Sequence, residues 1–473
     1  AGRGRRRAGA MTALPADPFA TGGVAGFGER LRGGEITAAA ATRACLDRIA
    51  AVDGRLGAFQ HVDDGRATAA AQALDALLAA GTDLGPLMGV PVAIKDLFAV
   101  DGMPTTAGSL IDVGDVVGTQ GSFVATLKRA GCVILGKTRT VEFALGTTGI
   151  SRPRGTPWNP WDAAVHRIPG GSSSGSAVAV AAGLCGFAVG TDTGGSVRLP
   201  AHFCGVFGLK TTAGRWPTDG VFPLSHELDS IGLLTRSAAD AAVVFSALSG
   251  GAPAVARSPR GLRLGKPTDY FYDGLEDAVR VAVEATLARL AAAGTEIVGI
   301  EVPEAREREA YFPLALPTEL IAVLGRDRFL AERDRLDPVV AARAARGLDV
   351  AAAEYLRCVW RRRELATAAA ARFEGLDGWI TPTAARTAPP VADFTDPDEG
   401  LRLTLAITRA TQPANLLDLC ATSTPLPLAG PALPAGLQVL GPAGGEAGAL
   451  AIARAIEELI GPPPAPDLRG FLA

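Results

Sequence analysis

The stretch GGSSSGSAVAVAAGLCGFAVGTDTGGSVRLP, residues 170–200, places two clusters of glycine and hydroxyl-bearing residues on either side of an apolar run. The run predicts a buried helix over 176–184 and a buried strand over 185–191, because both parts are apolar and bounded by glycine. A flexible linker connects polar surfaces, whereas both clusters here adjoin elements of a core. The stretch therefore predicts a preorganised site within a folded domain.

Helical and strand patterns alternate along the rest of the chain. An Ala-rich helical pattern covers 36–80, the apolar run at 90–94 predicts a buried strand, and apolar residues recur at helical spacing over 276–294. Such alternation predicts an α/β fold with a mostly parallel, mixed and twisted sheet covered by helices on both faces. No stretch divides the chain as a linker does, so we expect one large domain over 11–473.

The composition is that of a globular protein with a large core, since 48% of the 473 residues are hydrophobic and 20% are charged. A net charge of −3 favours neither nucleic acid nor an anionic membrane as partner. No apolar run reaches the roughly 18 residues of a membrane span. Residues 1–10 are basic but lack the apolar run of a signal peptide, so we expect a disordered, non-native leader.

The six cysteines and four histidines are scattered along the chain without the spacing of metal ligands. In a chain of this length, cysteines without a C-x-x-C motif are typical of free thiols in a reducing compartment. We therefore expect a cytoplasmic protein without a metal site.

Two motif matches fail on physical grounds. GCVILGKT (131–138) fits the phosphate-loop pattern, but its four variable residues are apolar and β-forming, so their amides pair in a sheet instead of facing an anion. GSSSG (171–175) fits the nucleophile elbow of α/β-hydrolases, whose histidine base comes late in the chain. No histidine follows His226, so this pattern does not predict that mechanism.

A serine nucleophile needs a base, and lysine is the common substitute for histidine. Such a lysine must be neutral near pH 7, and burial at the end of an apolar strand lowers its pKa. Lys95, Lys137 and Lys210 each follow an apolar run. Composition and spacing do not choose among the three.

Several motifs together resemble the amidase signature family. GVPVAIKDLF (89–98) resembles the lysine strand of that family, and the serine cluster at 170–176 precedes GTDTGGSVRLPAHFCGVFGLK as in its members. The resemblance implies the amidase signature fold, with a core at 60–245 and 376–461. It is weakest at 304–415, where we expect the segment that shapes the substrate site.

The resemblance implies a catalytic role for three residues. Lys95 matches the base, Ser172 the bridging serine that follows a cis peptide bond, and Ser196, 24 positions later, the nucleophile. Main-chain N–H groups near the nucleophile would stabilise the oxyanion. The implied oxyanion hole consists of the N–H groups of Thr193, Gly194, Gly195 and Ser196. The implied supporting residues are Gly171, Ser173, Asp192 and Arg198, and the implied substrate-binding cleft-wall residues are Ala144 and Leu145.

The implied activity is hydrolysis of an amide through a covalent acyl-enzyme, without a metal or organic cofactor. The apolar segment at 143–150 and Leu199 favour small uncharged amides, anilides or carbamates as substrates, with esters as easier acyl donors. We expect a small-molecule substrate, no nucleic-acid or membrane partner, and a monomer or homodimer.

Two alternatives differ in class. The glutaminase A subunit of the tRNA-dependent amidotransferase carries a polar Gln where this chain has Leu199, and a Tyr-containing turn where it has GRWPTDG (214–220). A non-catalytic binding member of the family is the other alternative. It is disfavoured because all three catalytic positions are filled.

Overall fold

The computed structural model describes residues 13–427, 433–462 and 465–472, so the leader expected at 1–10 lies outside the described residues. The strands are β1 (Phe59–Val62), β2 (Pro91–Lys95), β3 (Val133–Thr138), β4 (Phe187–Asp192), β5 (Phe207–Lys210), β6 (Ser230–Thr235), β7 (Arg263–Pro267), β8 (Glu296–Ile300), β9 (Gly378–Pro382), β10 (Cys420–Leu426) and β11 (Ala435–Gly441). The helices are α1 (Gly23–Arg32), α2 (Ala38–Leu56), α3 (Asp64–Ala79), α4 (Gly114–Val117), α5 (Ser122–Arg129), α6 (Ser174–Ala181), α7 (Arg198–Cys204), α8 (Ala238–Ser249), α9 (Asp277–Ala292), α10 (Arg308–Leu324), α11 (Arg326–Glu332), α12 (Pro338–Ala345), α13 (Ala352–Ala371), α14 (Pro397–Thr408), α15 (Gln412–Leu416) and α16 (Glu446–Ile460).

All eleven strands form one sheet, in the order β1-β3-β2-β4-β6-β5-β10-β11-β9-β7-β8. The predicted α/β class and the mixed sheet with flanking helices are confirmed. Parallel pairs are nevertheless the minority within the described residues: β2–β3, β2–β4, β7–β8 and β7–β9 are parallel there, and the other six pairings are antiparallel. The centre of the sheet is antiparallel because its neighbouring strands β5–β6 and β10–β11 follow one another without a crossover helix.

The helix and the strand that were predicted within residues 170–200 both form. The predicted helix is α6 and the predicted strand is β4, with ends shifted by one to three residues. Every residue of β4 is buried, since it lies between β2 and β6. Its parallel pairing with β2, with Ile94 opposite Val189, brings the carboxyl ends of these two strands to the same edge of the sheet.

The helices of the described ranges cover the sheet. No helix in these ranges is long and apolar enough to cross a membrane. The variable segment expected at 304–415 includes α10 to α14, and α10 packs close to α15. This arrangement brings residues far apart in sequence to the sheet edge where β2 and β4 end.

Candidate active site

Lys95 is the last residue of β2, and its amine reaches the serine cluster. The side chain is fully buried. Its Nζ lies 2.8 Å from the Ser172 hydroxyl oxygen and 2.7 Å from the Thr191 hydroxyl oxygen. Thr191 belongs to β4, so the parallel pairing of β2 and β4 fixes the position of the amine beside Ser172.

The electrostatic surroundings of Lys95 favour a neutral amine. Burial lowers its pKa to about 7, although the carboxylates of Asp229 and Asp192 act in the opposite direction. At neutral pH a large fraction of the molecules therefore has an unprotonated amine that can accept a proton. This is the property that a lysine base requires.

The other two candidate lysines have different partners. Lys137 forms a buried ion pair with Asp96 at 2.8 Å. Lys210 donates to the main-chain carbonyls of Thr211 and Leu419. Neither contacts a hydroxyl of the serine cluster, so the geometry selects Lys95 from the three lysines that the sequence left open.

Ser172 lies in a turn that is closely packed on all sides. The peptide bond between Gly171 and Ser172 is cis. The Gly171 N–H donates to the Thr147 carbonyl at 2.7 Å, and the Val141 N–H donates to the Ser172 carbonyl at 3.3 Å. A Cβ on Gly171 would lie 2.5 Å from the nitrogen of Gly149, so only glycine allows this close approach of two main chains.

Ser173 connects this turn to the loop that carries Ser196. Its N–H donates to the Ser196 carbonyl at 3.1 Å. Its hydroxyl donates to the Thr191 carbonyl at 3.2 Å and lies 3.3 Å from the Thr191 N–H nitrogen. Ser173 therefore holds Ser172 and Ser196 on adjacent segments, which is consistent with the supporting role implied for it.

The predicted oxyanion hole loses one of its four donors. The Gly195 N–H donates to the Asp192 carboxylate at 2.8 Å and is not free to bind a substrate oxygen. Among the described residues, the N–H groups of Thr193, Gly194 and Ser196 have no acceptor. These three donors, rather than four, are available to stabilise an anion.

Gly195 is required by the shape of this loop. Its φ of 117° is accessible to glycine but not to other residues, and a Cβ there would lie 2.4 Å from the Thr411 hydroxyl oxygen. We expect Gly195→Ala to lower kcat/KM for any amide by at least ~100-fold, because it displaces the free N–H groups. Gly214→Ala is the matched control, since Gly214 also has a positive φ but no atom within 4 Å of an added Cβ. Equal losses in the two variants, measured by steady-state kinetics, would contradict this role of the loop.

Asp192 and Arg198 form a fully buried, two-pronged ion pair beside the loop. Arg198 Nη2 lies 2.9 Å from Asp192 Oδ1, and its Nε lies 3.0 Å from Oδ2. Burial opposes ionisation of Asp192, but the guanidinium of Arg198 outweighs it and holds the pKa of the carboxyl well below its usual range. Further groups complete the shell of Arg198: the Thr411 carbonyl, the Asn415 side-chain oxygen and the Gln438 side-chain oxygen.

Breaking this ion pair leaves a buried carboxylate without its cation. We expect Arg198→Met to lower the free energy of unfolding by about 3–5 kcal/mol, measured by denaturant titration. Arg402→Met is the control, because Arg402 pairs with Glu399 on an exposed helix surface, where an ion pair contributes about 0–1 kcal/mol. A loss below about 1 kcal/mol at Arg198 would show that the pair does not hold the loop.

Two residues that the sequence analysis missed contact the site. Thr191 bonds to the Lys95 amine, and its position in the GTDTGGS motif was a signal that could have identified it. Asp229 accepts a hydrogen bond from the Thr193 hydroxyl at 2.5 Å and from the Leu224 N–H at 2.8 Å. No local pattern marked Asp229, because its role depends on the packing of a distant loop.

The two predicted cleft-wall residues lie in a strained turn. Ala144 and Leu145 are buried, with 3% and 1% exposure. Phe143 and Ala144 have φ values of 53° and 59°, a region that residues other than glycine seldom occupy. The preceding Val141 bonds to Ser172, so this turn packs against the cis peptide. Strain of this kind is often found at functional sites, and the cleft-wall role remains a proposal.

The site has no arrangement suited to a metal. Within the described residues, no group of three His, Cys, Asp or Glu side chains is placed to hold a metal ion. The chemistry available from these residues is an amine next to a hydroxyl, a second hydroxyl on an adjacent segment, and three free N–H groups.

Comparisons with known proteins show the family of this chain. The family model described as Amidase matches residues 40–450. A 2-amino-5-chloromuconic acid deaminase of Comamonas testosteroni is 42% identical over 438 residues, which cover 91% of this chain and 95% of that protein. The A subunit of a glutamyl-tRNA(Gln) amidotransferase from Geobacter metallireducens is 36% identical over 468 residues, which cover 91% of this chain and 95% of that protein.

Comparison with solved structures shows that the similarity covers the whole fold. The peptide amidase of Stenotrophomonas maltophilia superposes with a TM-score of 0.82 at 28% identity, covering 96% of this chain and 99% of the amidase. The two folds therefore agree over nearly their full length. Since the family model spans most of the chain and these relatives match nearly all of it, the chain belongs to the amidase family, the amidase signature enzymes that hydrolyse carbon–nitrogen bonds.

Proposed function

We propose that this protein hydrolyses small amides through an acyl-enzyme formed on Ser196, with Ser172 as proton relay and Lys95 as base. The observation that carries the proposal is the buried Lys95 amine 2.8 Å from the Ser172 hydroxyl oxygen. Since burial lowers the pKa of this amine to about 7, it is able to accept a proton at neutral pH.

In the first step the Ser196 oxygen attacks the carbonyl carbon of the amide. The Ser196 proton passes to Ser172, whose own proton passes to the Lys95 amine. The negative charge that develops on the carbonyl oxygen is stabilised by the free N–H groups of the loop, in the manner of an oxyanion hole. Those donors are the N–H groups of Thr193, Gly194 and Ser196.

In the second step the carbon–nitrogen bond breaks. Ser172 gives its proton to the leaving nitrogen and regains one from the protonated Lys95, so that an amine or ammonia leaves neutral. Water then attacks the ester of Ser196, and the proton that it loses passes through Ser172 to Lys95. The bond between the acyl carbon and the Ser196 oxygen breaks, the acid is released, and the same relay returns the proton to the Ser196 oxygen. Nothing in these steps consumes an oxidant, reductant or cofactor.

The basis for an uncharged substrate is weaker than the sequence suggested. Leu199 is fully buried in a small cluster with Ile168 and Phe203, so it forms part of the core. Phe143 stacks on Phe222 with ring centroids 5.1 Å apart. The apolar character of these residues is explained by packing and does not indicate what the substrate is.

The relative from Comamonas is named for a muconic acid, which is a dicarboxylic acid. The substrates of our proposal therefore include amides that carry a carboxylate, besides the uncharged amides, anilides and carbamates expected from sequence. Esters are easier acyl donors than amides, and we propose that they are cleaved as well.

A hydrolysis screen tests the proposal. It compares uncharged aliphatic amides, aryl amides, carbamates, esters, acid amides and free glutamine, and measures the ammonia, amine or alcohol released. We expect turnover of at least one amide class and of its ester. Turnover of glutamine alone would favour the alternative of a glutaminase within an amidotransferase, and binding without any turnover would favour the non-catalytic one.

A further inference from the structure

Arg308, the first residue of α10, is a buried cation without a close carboxylate partner. It is 3% exposed, and its guanidinium donates to three neutral side-chain oxygens. Those oxygens belong to Tyr270 at 2.6 Å, Thr408 at 3.0 Å and Gln412 at 2.5 Å. The nearest carboxylate among the described residues is that of Glu309, 3.9 Å away on a side chain that is 63% exposed.

A buried guanidinium of this kind is costly unless an anion balances it. Arg198, which is equally buried, has Asp192 as a two-pronged partner. Arg308 is held in place by neutral acceptors, one of them the Leu405 carbonyl at 3.3 Å from Nη2. The arrangement fixes the cation in one orientation, and among the described residues its charge is opposed by the long contact to the exposed Glu309 alone.

The guanidinium lies one side chain away from the loop with the free N–H groups. A Cβ on Gly194 would lie 3.1 Å from Phe312 Cε1 and 3.4 Å from Gln412 Cγ. Phe312 is one helical turn after Arg308 on α10, and Gln412 accepts the hydrogen bond from Arg308. Thr411, next to Gln412, donates to the Gly194 carbonyl at 3.2 Å.

Tyr270 adds a second hydrogen-bond donor beside Arg308, and two further arginines lie near its ring. Its φ of 58° is unusual for a tyrosine and indicates a position held by its neighbours. Burial raises the pKa of its phenol, so the group keeps its proton at neutral pH. The oxygen accepts from Arg308, and among the described residues its own hydrogen has no acceptor. The guanidinium groups of Arg306 and Arg409 lie 5.2 Å and 5.9 Å from the ring centroid.

From this geometry we infer that Arg308 and Tyr270 bind a carboxylate of the substrate, so that the enzyme acts on small amides bearing a negative charge. The inference rests on the proposed function, because it places the carboxylate relative to the Gly194 loop. The second Nη2 hydrogen of Arg308 and the phenol hydrogen of Tyr270 are the two donors that this arrangement leaves for a carboxylate. Because Gln412 lies between Arg308 and the Gly194 loop, the inferred substrates are amides whose carboxylate is several bonds from the scissile carbonyl.

Matched substrates test the inference. Succinamate, glutaramate and adipamate are monoamides of dicarboxylic acids, and butyramide, pentanamide and hexanamide are their uncharged counterparts of equal chain length. We expect the wild-type kcat/KM for at least one acid amide to exceed that of its neutral partner by about 100-fold, as for a charge-assisted recognition site. Equal values for all three pairs would overturn the inference.

Variants of Arg308 separate recognition from folding. We expect Arg308→Leu to remove the preference for the acid amide, through a loss of about 100-fold in kcat/KM that arises mainly in KM and exceeds the loss for the neutral amide of equal length. Arg308→Lys keeps the charge and should restore part of the preference even if the leucine variant folds poorly. Arg306→Gln is the control, because Arg306 faces the same tyrosine but is 57% exposed and paired with Asp269. An equal loss on both substrates in the Arg308 variants would mean a purely structural role and overturn the inference.

Binding to the Ser196→Ala protein distinguishes the two proposals. Calorimetry with adipamate and hexanamide measures recognition without catalysis. Arg308-dependent binding of adipamate, in a protein whose wild type cleaves no amide, would support the carboxylate site while overturning the proposed hydrolysis. Cleavage of adipamate and hexanamide by the wild type, with no Arg308-dependent binding of adipamate, would support the proposed hydrolysis and overturn the inferred carboxylate site.

Discussion

Replacement of Ser196 by alanine is expected to lower kcat for every amide and ester by at least ~10⁴-fold. Without the hydroxyl no acyl-enzyme forms, and the three free N–H groups alone cannot replace a covalent route. Steady-state assays measure the loss. Trapping with a slow ester, followed by mass spectrometry of the intact protein, should show an added acyl group in the wild type and none in Ser196→Ala.

Ser176→Ala is the matched control for this prediction. Ser176 is a buried serine of the same cluster, but its hydroxyl bonds to the Thr138 hydroxyl and the Val189 carbonyl instead of to Lys95 or the loop. We expect activity within about threefold of wild type, since a core hydroxyl outside the site has no part in the chemistry. An acylated Ser196→Ala protein, or equal losses in the two variants, would show that the nucleophile is another residue.

Replacement of Lys95 by methionine is expected to lower kcat/KM by at least ~10³-fold, the upper range for loss of a general base. In the proposed mechanism the active form carries the neutral Lys95 amine, whose pKa burial lowers to about 7. Activity should therefore be constant above that pH and fall about tenfold per unit below it, as protonation removes the base. A wild-type profile that is flat between pH 5 and 8, or one that falls as pH rises through this range, would contradict the role of Lys95.

The same pKa shift predicts a stability signature. The amine has a pKa of about 7 in the folded protein and 10.5 in an unfolded chain. Between these values the unfolded chain binds a proton that the folded protein does not, so the free energy of unfolding rises with pH. The Lys95→Met variant has no amine at this position, so this difference in proton binding between its unfolded and folded states is absent. The difference in stability, wild type minus variant, should therefore increase from pH 7 to pH 10.5 and stay constant below pH 7, as measured by denaturant titration.

The sequence predicted the local elements of the site better than the sheet around it. α6 and β4 could be predicted because an apolar run between glycine clusters has few alternatives. The Ala-rich pattern over 36–80 concealed β1, since Gly57 ends α2 in a left-handed conformation and β1 is a short edge strand. The sequence has no pattern that distinguishes antiparallel strand pairs, such as β10–β11, from parallel ones.

The residues of the candidate site also divide into those that motifs predict and those that depend on contacts between distant segments. Lys95, Ser172 and Ser196 come from motifs, and choosing Lys95 over Lys137 and Lys210 required the pairing of β2 with β4. Asp229 and Arg308 could not be predicted, because each depends on a contact between segments far apart in sequence. Engagement of the Gly195 N–H by Asp192 is another such case, since a motif predicts which residues are present and not which donors are already used.

The loop that carries Ser196 depends on parts of the chain that a ribosome makes more than 200 residues later. Arg198 is held by Thr411, Asn415 and Gln438, more than 200 positions further along the chain. Until α15, with the preceding Thr411, and β11 have docked, the Asp192–Arg198 pair lacks these neutral acceptors and the loop lacks its support. We therefore expect a nascent chain that ends before these segments to have Ser196 but no support for its loop, and to gain activity only after the segments have been made and have docked.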